Sequence, residues 1–381
     1  MLTGFPNYPT GRVSDGYTLR RHLLERKGGV DVHRVALYPS HDSSTFRRVA
    51  NYGSFGASSM VNGLPALRGL DALWVNYSPV TVGGTQLLAR YAFGVPSVVH
   101  VLDLWPDTLL AGGFSGDGAG ARLSRRLLEG WCSTLYRAAT SVAYIAPSVG
   151  DILRRRGVDE HRLHYVPMWA DEAIFHPSDD SMRSELGIPD SAMVVLYAGA
   201  LGEAQGLETL IDACGQVDDP RLVCVIAGSG ISEGALRSRA GGQSNVRFIG
   251  RVEPSQMTRL MATADLAYIG LRQHSVSSAT MPSKTQATLA AGVPIIASAG
   301  ADVERVVDEA GAGFSVPLGD VNALAGVLRG VLAEPGTDLP SMKQAARAYY
   351  ERRFSAEQGV SAIEALLTDA ASTGASDRRA S

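Results

Sequence analysis

Cysteine is scarce in this 381-residue chain: Cys132, Cys214 and Cys224 stand apart, form no CxxC pair and sit inside apolar runs. A disulfide framework is therefore excluded, and reduced, buried thiols in a cytosolic setting are expected. Long hydrophobic runs are missing as well. Nothing approaches the roughly 18 consecutive apolar residues of a spanning helix, and the N-terminus lacks a basic-then-apolar signal layout. The expectation is a soluble protein, at most peripheral to a membrane. No HExxH or Walker pattern occurs, so metal-dependent hydrolysis and P-loop chemistry have no support. A net charge of −3 does not suit a nucleic-acid protein taken whole.

The charge is unevenly spread. Residues 1–170 hold 18 Lys and Arg against 12 Asp and Glu, whereas the remainder holds 17 against 26. A basic first half suits either an anionic partner, such as a phosphate-bearing acceptor or a membrane surface, or a chance clustering of solvated arginines. Length and a 45% hydrophobic content suit two domains of ordinary size.

Strand and helix patterns alternate. Residues 14–27 read as a helix, 32–37 as a strand and 38–58 as an irregular segment. Strands at 71–77, 96–104, 141–146 and 162–166 are separated by helices at 80–93, 120–138 and 150–156. A polar, proline-bearing stretch at 171–191 reads as a linker. A second alternating set follows, with strands at 193–198, 222–227, 246–249, 266–270 and 294–297 and helices between and after them. The fold class is α/β: two Rossmann-like, doubly wound parallel-sheet domains. Residues 1–175 and 190–345 form the domains, 346–370 a helix returning to the first, and 371–381 a disordered tail.

Three stretches invite chemistry. In Leu196-Tyr197-Ala198-Gly199-Ala200-Leu201-Gly202-Glu203-Ala204-Gln205-Gly206, glycines join a strand to a helix. They serve either a tight turn alone or a close backbone approach to phosphate. Ala227-Gly228-Ser229-Gly230 ends the next strand in the same manner, and Arg251 follows the strand after that, as a phosphate contact or a plain surface arginine. Third, Pro282-Ser283-Lys284 opens a helix whose free N–H groups and adjacent lysine make a seat for phosphate. In the first half, Asp103 ends a buried strand, where a carboxylate either caps the following loop or meets a hydroxyl. His100 inside that strand reads as a satisfied core histidine.

The ordered set GALGEAQGLETLIDA, VIAGSG, NVRFIGRV, ADLAYI and MPSKTQATLAAGVPIIAS resembles the GT-B family 4 retaining glycosyltransferases. With TGFPNYPTG, LYPSHDSS and HVLDLWPDT it is similar to the bacterial surface-polysaccharide branch, the WbuB-type and colanic-acid transferases. That resemblance implies a nucleotide-sugar donor, UDP-linked, held by the second domain, and a lipid-linked acceptor held by the first. The transferred group would be hexosyl or N-acetylhexosaminyl and the product O-antigen- or capsule-like, with no metal and no cofactor. By position, Gly202 and Gln205 would lie near the donor diphosphate, Ser283 and Lys284 would bind its phosphate oxygens with Lys284 helping to neutralise the leaving group, and Asp103 would face the acceptor. The loop reading adds Gly199, Gly228, Gly230, Arg251 and Pro282 to the donor side.

Three departures qualify that carry-over. Ala200 and Gln205 stand where relatives have Arg and Lys. Ala279 and Ala287 replace two glutamates, the second a ribose-binding one, so either Gln286 and backbone take over or the nucleotide preference differs. Relatives also carry a strand and a helix ahead of the TGFPNYP segment, so a start placed too late is expected. Two other readings stay open: a catalytically silent binding subunit of an assembly complex, and a nucleotide-sugar epimerase.

Overall fold

The computed structural model describes residues 1–8, 10–40, 45–107, 118–272, 281–333 and 338–380. It resolves into two compact units. One contains residues 1–145, 150–166 and 362–381; the other contains 146–149 and 167–361.

The first unit opens with β1 (Leu2–Gly4), β2 (His22–Lys27) and β3 (Val30–Val35), a three-stranded sheet in the order β1-β3-β2. β2 and β3 are antiparallel, with Leu23 opposite Arg34 and Leu24 opposite His33. Residues 22–27 are therefore strand, not the helix that their leucines suggest. The pair Gly28-Gly29, both at positive φ, makes the two-residue hairpin turn that decides this. α1 (Thr45–Asn62) likewise occupies much of the segment expected to be irregular. Its small residues are consumed by contacts: a Cβ on Gly56 would lie 2.8 Å from Thr81, and Ser59 Oγ and Thr85 Oγ1 are 2.6 Å apart.

α2 (Leu64–Leu67), β4 (Leu73–Asn76), α3 (Gly83–Phe93), β5 (Ser97–Val101), α4 (Ala119–Ala138), β6 (Ser141–Tyr144), α5 (Pro147–Arg155) and β7 (Leu163–Tyr165) follow. The strands form a parallel sheet in the order β4-β5-β6-β7. What reads as one sheet is thus two. Every residue of β5 is buried, as a central parallel strand requires. His100 belongs to that core: its Nε2 lies 2.9 Å from Val166 O and burial lowers its pKa.

The second unit is one six-stranded parallel sheet, β10-β9-β8-β11-β12-β13. Its strands are β8 (Met193–Ala198), β9 (Leu222–Ala227), β10 (Val246–Gly250), β11 (Leu266–Gly270), β12 (Ile295–Ser298) and β13 (Gly313–Ser315). Around them lie α6 (Leu207–Gln216), α7 (Glu233–Ala240), α8 (Met257–Thr263), α9 (Ser283–Ala290), α10 (Ala301–Ala310), α11 (Val321–Ala333) and α12 (Leu339–Arg353). Two apolar layers sandwich the sheet. One includes Tyr197, Leu210, Cys214, Cys224 and Leu328, the other Leu196, Val225, Leu260 and Ala267. All three cysteines are buried free thiols.

Residues 171–191 are no loose linker. Phe175, Met182 and Leu186 pack against the second layer, and Arg183 pairs with Asp265 at 2.6 Å. The last helix, α13 (Ala356–Ala380), begins in the second unit and ends in the first. There Leu366 and Ala370 join Val98, Ala143 and Val166. It continues through the tail expected to be disordered, because that tail is alanine-rich and Gly374 is buried against Pro96. Among the described residues no helix is long and apolar enough to cross a membrane.

Asp265 Oδ2 also accepts from Val194 N at 2.8 Å, so the Arg183 pair pins residues 171–191 to the sheet. Arg183→Ala should destabilise the protein by about 1–3 kcal/mol in urea denaturation, with the far-ultraviolet spectrum unchanged before the transition.

Candidate functional site

Strand order reverses at β8: β9 and β10 lie to one side, β11, β12 and β13 to the other. Open parallel sheets hold ligands outside the carboxyl ends of strands at such a reversal. A cavity of about 410 Å³ lies there, against Leu196, Ala198 and Gly199 on β8 and its end and Ala267 and Ile269 on β11. Met257 and Met261 of α8, Ala287 and Thr288 of α9, and Trp169 and Phe175 ahead of β8 complete its wall. Its polar lining includes Ser283, Lys284 and the acidic residue Asp171. A slightly larger cleft of about 480 Å³ in the first unit, lined by Arg68, Leu70 and Phe93, sits at the amino ends of β4 and β5, away from any glycine loop.

Lys284 is one of only three lysines in the chain, with Lys27 and Lys343. Its Nζ donates to Gln205 Oε1 at 2.6 Å and to Tyr197 Oη at 3.1 Å. The same nitrogen lies 4.3 Å from the centre of the Tyr197 ring, a cation–π distance. The Tyr197 hydroxyl in turn donates to Ala200 O at 2.7 Å. The amine thus has neutral partners, and burial lowers its pKa to about 8. α9 begins immediately beside it, with Pro282 at the N-cap and no side chain capping the first turn. A half-buried cation at an uncapped helix N-terminus is suited to a phosphate oxygen.

The glycine loops meet one another. Leu201 N donates to Ser229 O at 3.0 Å, and Gly228 N to Gly250 O at 2.7 Å. A Cβ on Gly228 would fall 1.8 Å from Gly199 O, and one on Gly230 would fall 2.3 Å from Leu201 O. Glycine at 228 and 230 is therefore demanded by loop-to-loop packing. Gly199 borders the cavity, with Lys284 Nζ 3.3 Å from where its Cβ would be. Gly202 faces open space.

The residues singled out in the sequence are thus only partly brought together. Gly199, Gln205, Ser283 and Lys284 gather at one point, and Pro282 holds the turn. Gln286 is buried, its amide nitrogen facing Pro282 O at 3.0 Å and Ser283 O at 3.3 Å, so it braces its own helix. Arg251 is exposed and outside the cavity lining. Ala287 is in the wall, and Ala279 lies outside the described residues. Tyr197 and the apolar lining of Trp169, Phe175, Met257 and Met261 are not apparent from sequence. Only the position of Tyr197, two residues before Gly199, hints at its role.

In the first unit, Asp103 follows β5 and its Oδ2 accepts from Ser78 Oγ at 2.7 Å. Both residues are at carboxyl ends of the parallel strands β4 and β5, flanked by cis peptide bonds at Ser78-Pro79 and Trp105-Pro106. Among the described residues no group of three or more His, Cys, Asp or Glu is placed to hold a metal ion.

Residues 8–169 match the glycosyl transferase 4-like domain, and residues 192–334 match the glycosyl transferases group 1 family. This is a GT-B glycosyltransferase of family 4. The glycosyltransferase is 28% identical to WcaI of Escherichia coli (strain K12), named for colanic acid biosynthesis, over 94% of this chain and 88% of that one. To WbjE of Pseudomonas aeruginosa, named as a glycosyltransferase, it is 26% identical over 75% and 71%. In fold it is similar to Anabaena Alr3699/HepE in complex with UDP and glucose, with a TM-score of 0.65 at 18% identity over 89% and 86% of the two chains. The lipopolysaccharide glycosyltransferase WaaG gives 0.61 at 17% identity over 88% and 86%.

Tyr197→Phe keeps the ring under Lys284 and removes the hydroxyl that joins the amine to Ala200 O. Lys284→Ala removes the cation itself. Transfer activity should fall about 10²–10³-fold in Lys284→Ala and only about tenfold in Tyr197→Phe. The thermal midpoint of Lys284→Ala should not fall, since a desolvated charge is lost. Steady-state kinetics beside a melting curve checks both.

Proposed function

We propose that this glycosyltransferase moves a hexosyl or N-acetylhexosaminyl group from a UDP-linked sugar to a lipid-linked precursor of a bacterial surface polysaccharide, of O-antigen or capsule type. The observation that carries the reading is Lys284, a half-buried amine at the uncapped start of α9, facing a cavity at the strand-order reversal. WcaI, by its name, supports the polysaccharide context, and HepE, solved with UDP and glucose, supports the nucleotide. The donor's diphosphate would lie against Lys284, Ser283 and the loop from Gly199 to Gln205, its nucleoside in the apolar part of the cavity.

In the proposed reaction the bond from the sugar C1 to the diphosphate oxygen breaks, and the acceptor oxygen bonds to C1 on the same face. The acceptor's proton passes to the departing phosphate, and bonding on the face that the diphosphate leaves gives retention. Lys284 and the α9 N–H groups neutralise charge on the leaving diphosphate, a task that otherwise falls to a metal ion. We assign Asp103 to the acceptor side, orienting a sugar hydroxyl with Ser78 beside it. The protein would work at the inner face of the membrane as a peripheral enzyme. Ala287 in the cavity wall favours one second reading, a binding subunit without turnover, because the methyl group at that position offers no grip on a ribose. A UDP-sugar consumed without acceptor would indicate an epimerase instead; a nuclear magnetic resonance time course separates these readings.

Lys284 sets a pH dependence. Its amine, free at about 8, rises when a diphosphate arrives, so binding above pH 8 takes up a proton. UDP affinity should be level well below pH 8 and fall about tenfold per unit above it. Lys284→Arg should abolish that fall. Calorimetry of UDP binding, repeated in buffers of different ionisation enthalpy and in EDTA, tests the affinity, the proton and the metal independence. Absence of UDP, GDP and TDP binding would refute the transferase reading.

A further inference from the structure

The first unit carries two exposed patches of the same composition. On the first turn of α1, Phe46 is 80% exposed and Val49 56%. Near the start of α4, Leu123 is 58% exposed and Leu127 66%, one turn apart on one side of the helix. Residues 45–49 and 120–128 together contain five arginines, of which Arg125 is paired with Glu129 at 3.2 Å. Among them, Arg48 and Arg126 are exposed beside the apolar side chains. Neither helix has an acidic residue in its first turn. Arginine near a helix start costs stability against the helix dipole, so these charges are not there for the helices.

Contacts within the unit hold the two patches to one neighbourhood. Thr81 Oγ1 donates to Tyr52 O of α1 at 2.6 Å. Trp131 Nε1 of α4 donates to Val80 O at 3.2 Å. Both helices are thus tied to the turn at Val80–Val82. The Tyr52 and Trp105 rings are 6.4 Å apart, and Arg125 Nη2 lies 3.9 Å from Asp107. The two helix starts therefore flank the loop after β5, which carries Asp103.

We propose that Phe46, Val49, Leu123 and Leu127, with Arg48 and Arg126, form a docking surface for an anionic lipid bilayer. Large apolar side chains bordered by guanidinium groups suit the headgroup boundary, where the chain of the arginine is buried and its charge stays among phosphates. The surface borders the end of the unit where Asp103 and Ser78 meet, so a bilayer seated on it brings a membrane-borne acceptor to those residues. This identification of the partner deepens the lipid-linked acceptor reading and rests on it.

The full chain is sedimented with vesicles of phosphatidylcholine and with vesicles of phosphatidylcholine and phosphatidylglycerol. It should partition onto the anionic vesicles and be released by salt. Each arginine replaced by Gln should weaken partitioning about fivefold, and Leu123→Ser with Leu127→Ser by about tenfold or more. All these variants should bind UDP like the parent chain, which controls for folding. Equal partitioning onto neutral vesicles, no change in the variants, or binding to neither vesicle overturns the proposal; the last outcome would assign the patch to an acidic protein. A chain that binds anionic vesicles but no nucleoside diphosphate keeps this surface and loses the transferase reading. One that binds UDP and ignores vesicles does the reverse.

Discussion

A primary amine surrounded by neutral groups is the constraint around which the second unit is arranged. Desolvating Lys284 is unfavourable unless something holds it, and each holder comes from a different element. Tyr197 is on the central strand, Gln205 in the loop before α6, and the amine's own backbone at the start of α9. Beside them the loops after β8 and β9 touch backbone to backbone, which only glycine at 228 permits. The sheet, the loops and the helix start are thus one arrangement with the cation at its focus. The site is prepared for negative charge and is less comfortable without it.

The same arrangement leaves a single placed cation beside a first glycine loop that carries the neutral residues Ala200 and Gln205. Gln205 contributes an acceptor to Lys284 in place of a second cation. The remaining amine is placed by hydrogen bonds and by the face of an aromatic ring. Charge is exchanged for placement. At Ala287 the exchange goes the other way, since a methyl group adds room to the cavity and offers no polar group.

Much of this could be read in advance wherever the signal is local. The glycine loops, the buried run at β5 and the proline-led start of α9 each follow from neighbours in sequence, and the alternation of strands and helices follows from periodicity. The failures share a cause in tertiary contact. Leu23 and Leu24 look helical until the Gly28-Gly29 turn pairs them with β3. The glycines and serines of α1 look like a loop until Thr81 and Thr85 are packed against them. Arg183 and Phe175 look like linker residues until Asp265 and the sheet are supplied. Tyr197 is the clearest case: in sequence it is one more buried strand residue, and its hydroxyl acquires meaning only when residue 284 arrives from the far side of β11.

The path of α13 has a consequence for how the molecule is made. Its later turns complete the core around Val98, Ala143 and Val166 with Leu366 and Ala370, so the first unit is assembled from the two ends of the chain. The second unit lies almost wholly between them, as an insertion of contiguous sequence. During synthesis that inserted body can close as soon as the first turn of α13 has left the ribosome. The unit begun first has to wait for the last helix, its apolar surface at β5 and β6 uncovered until then.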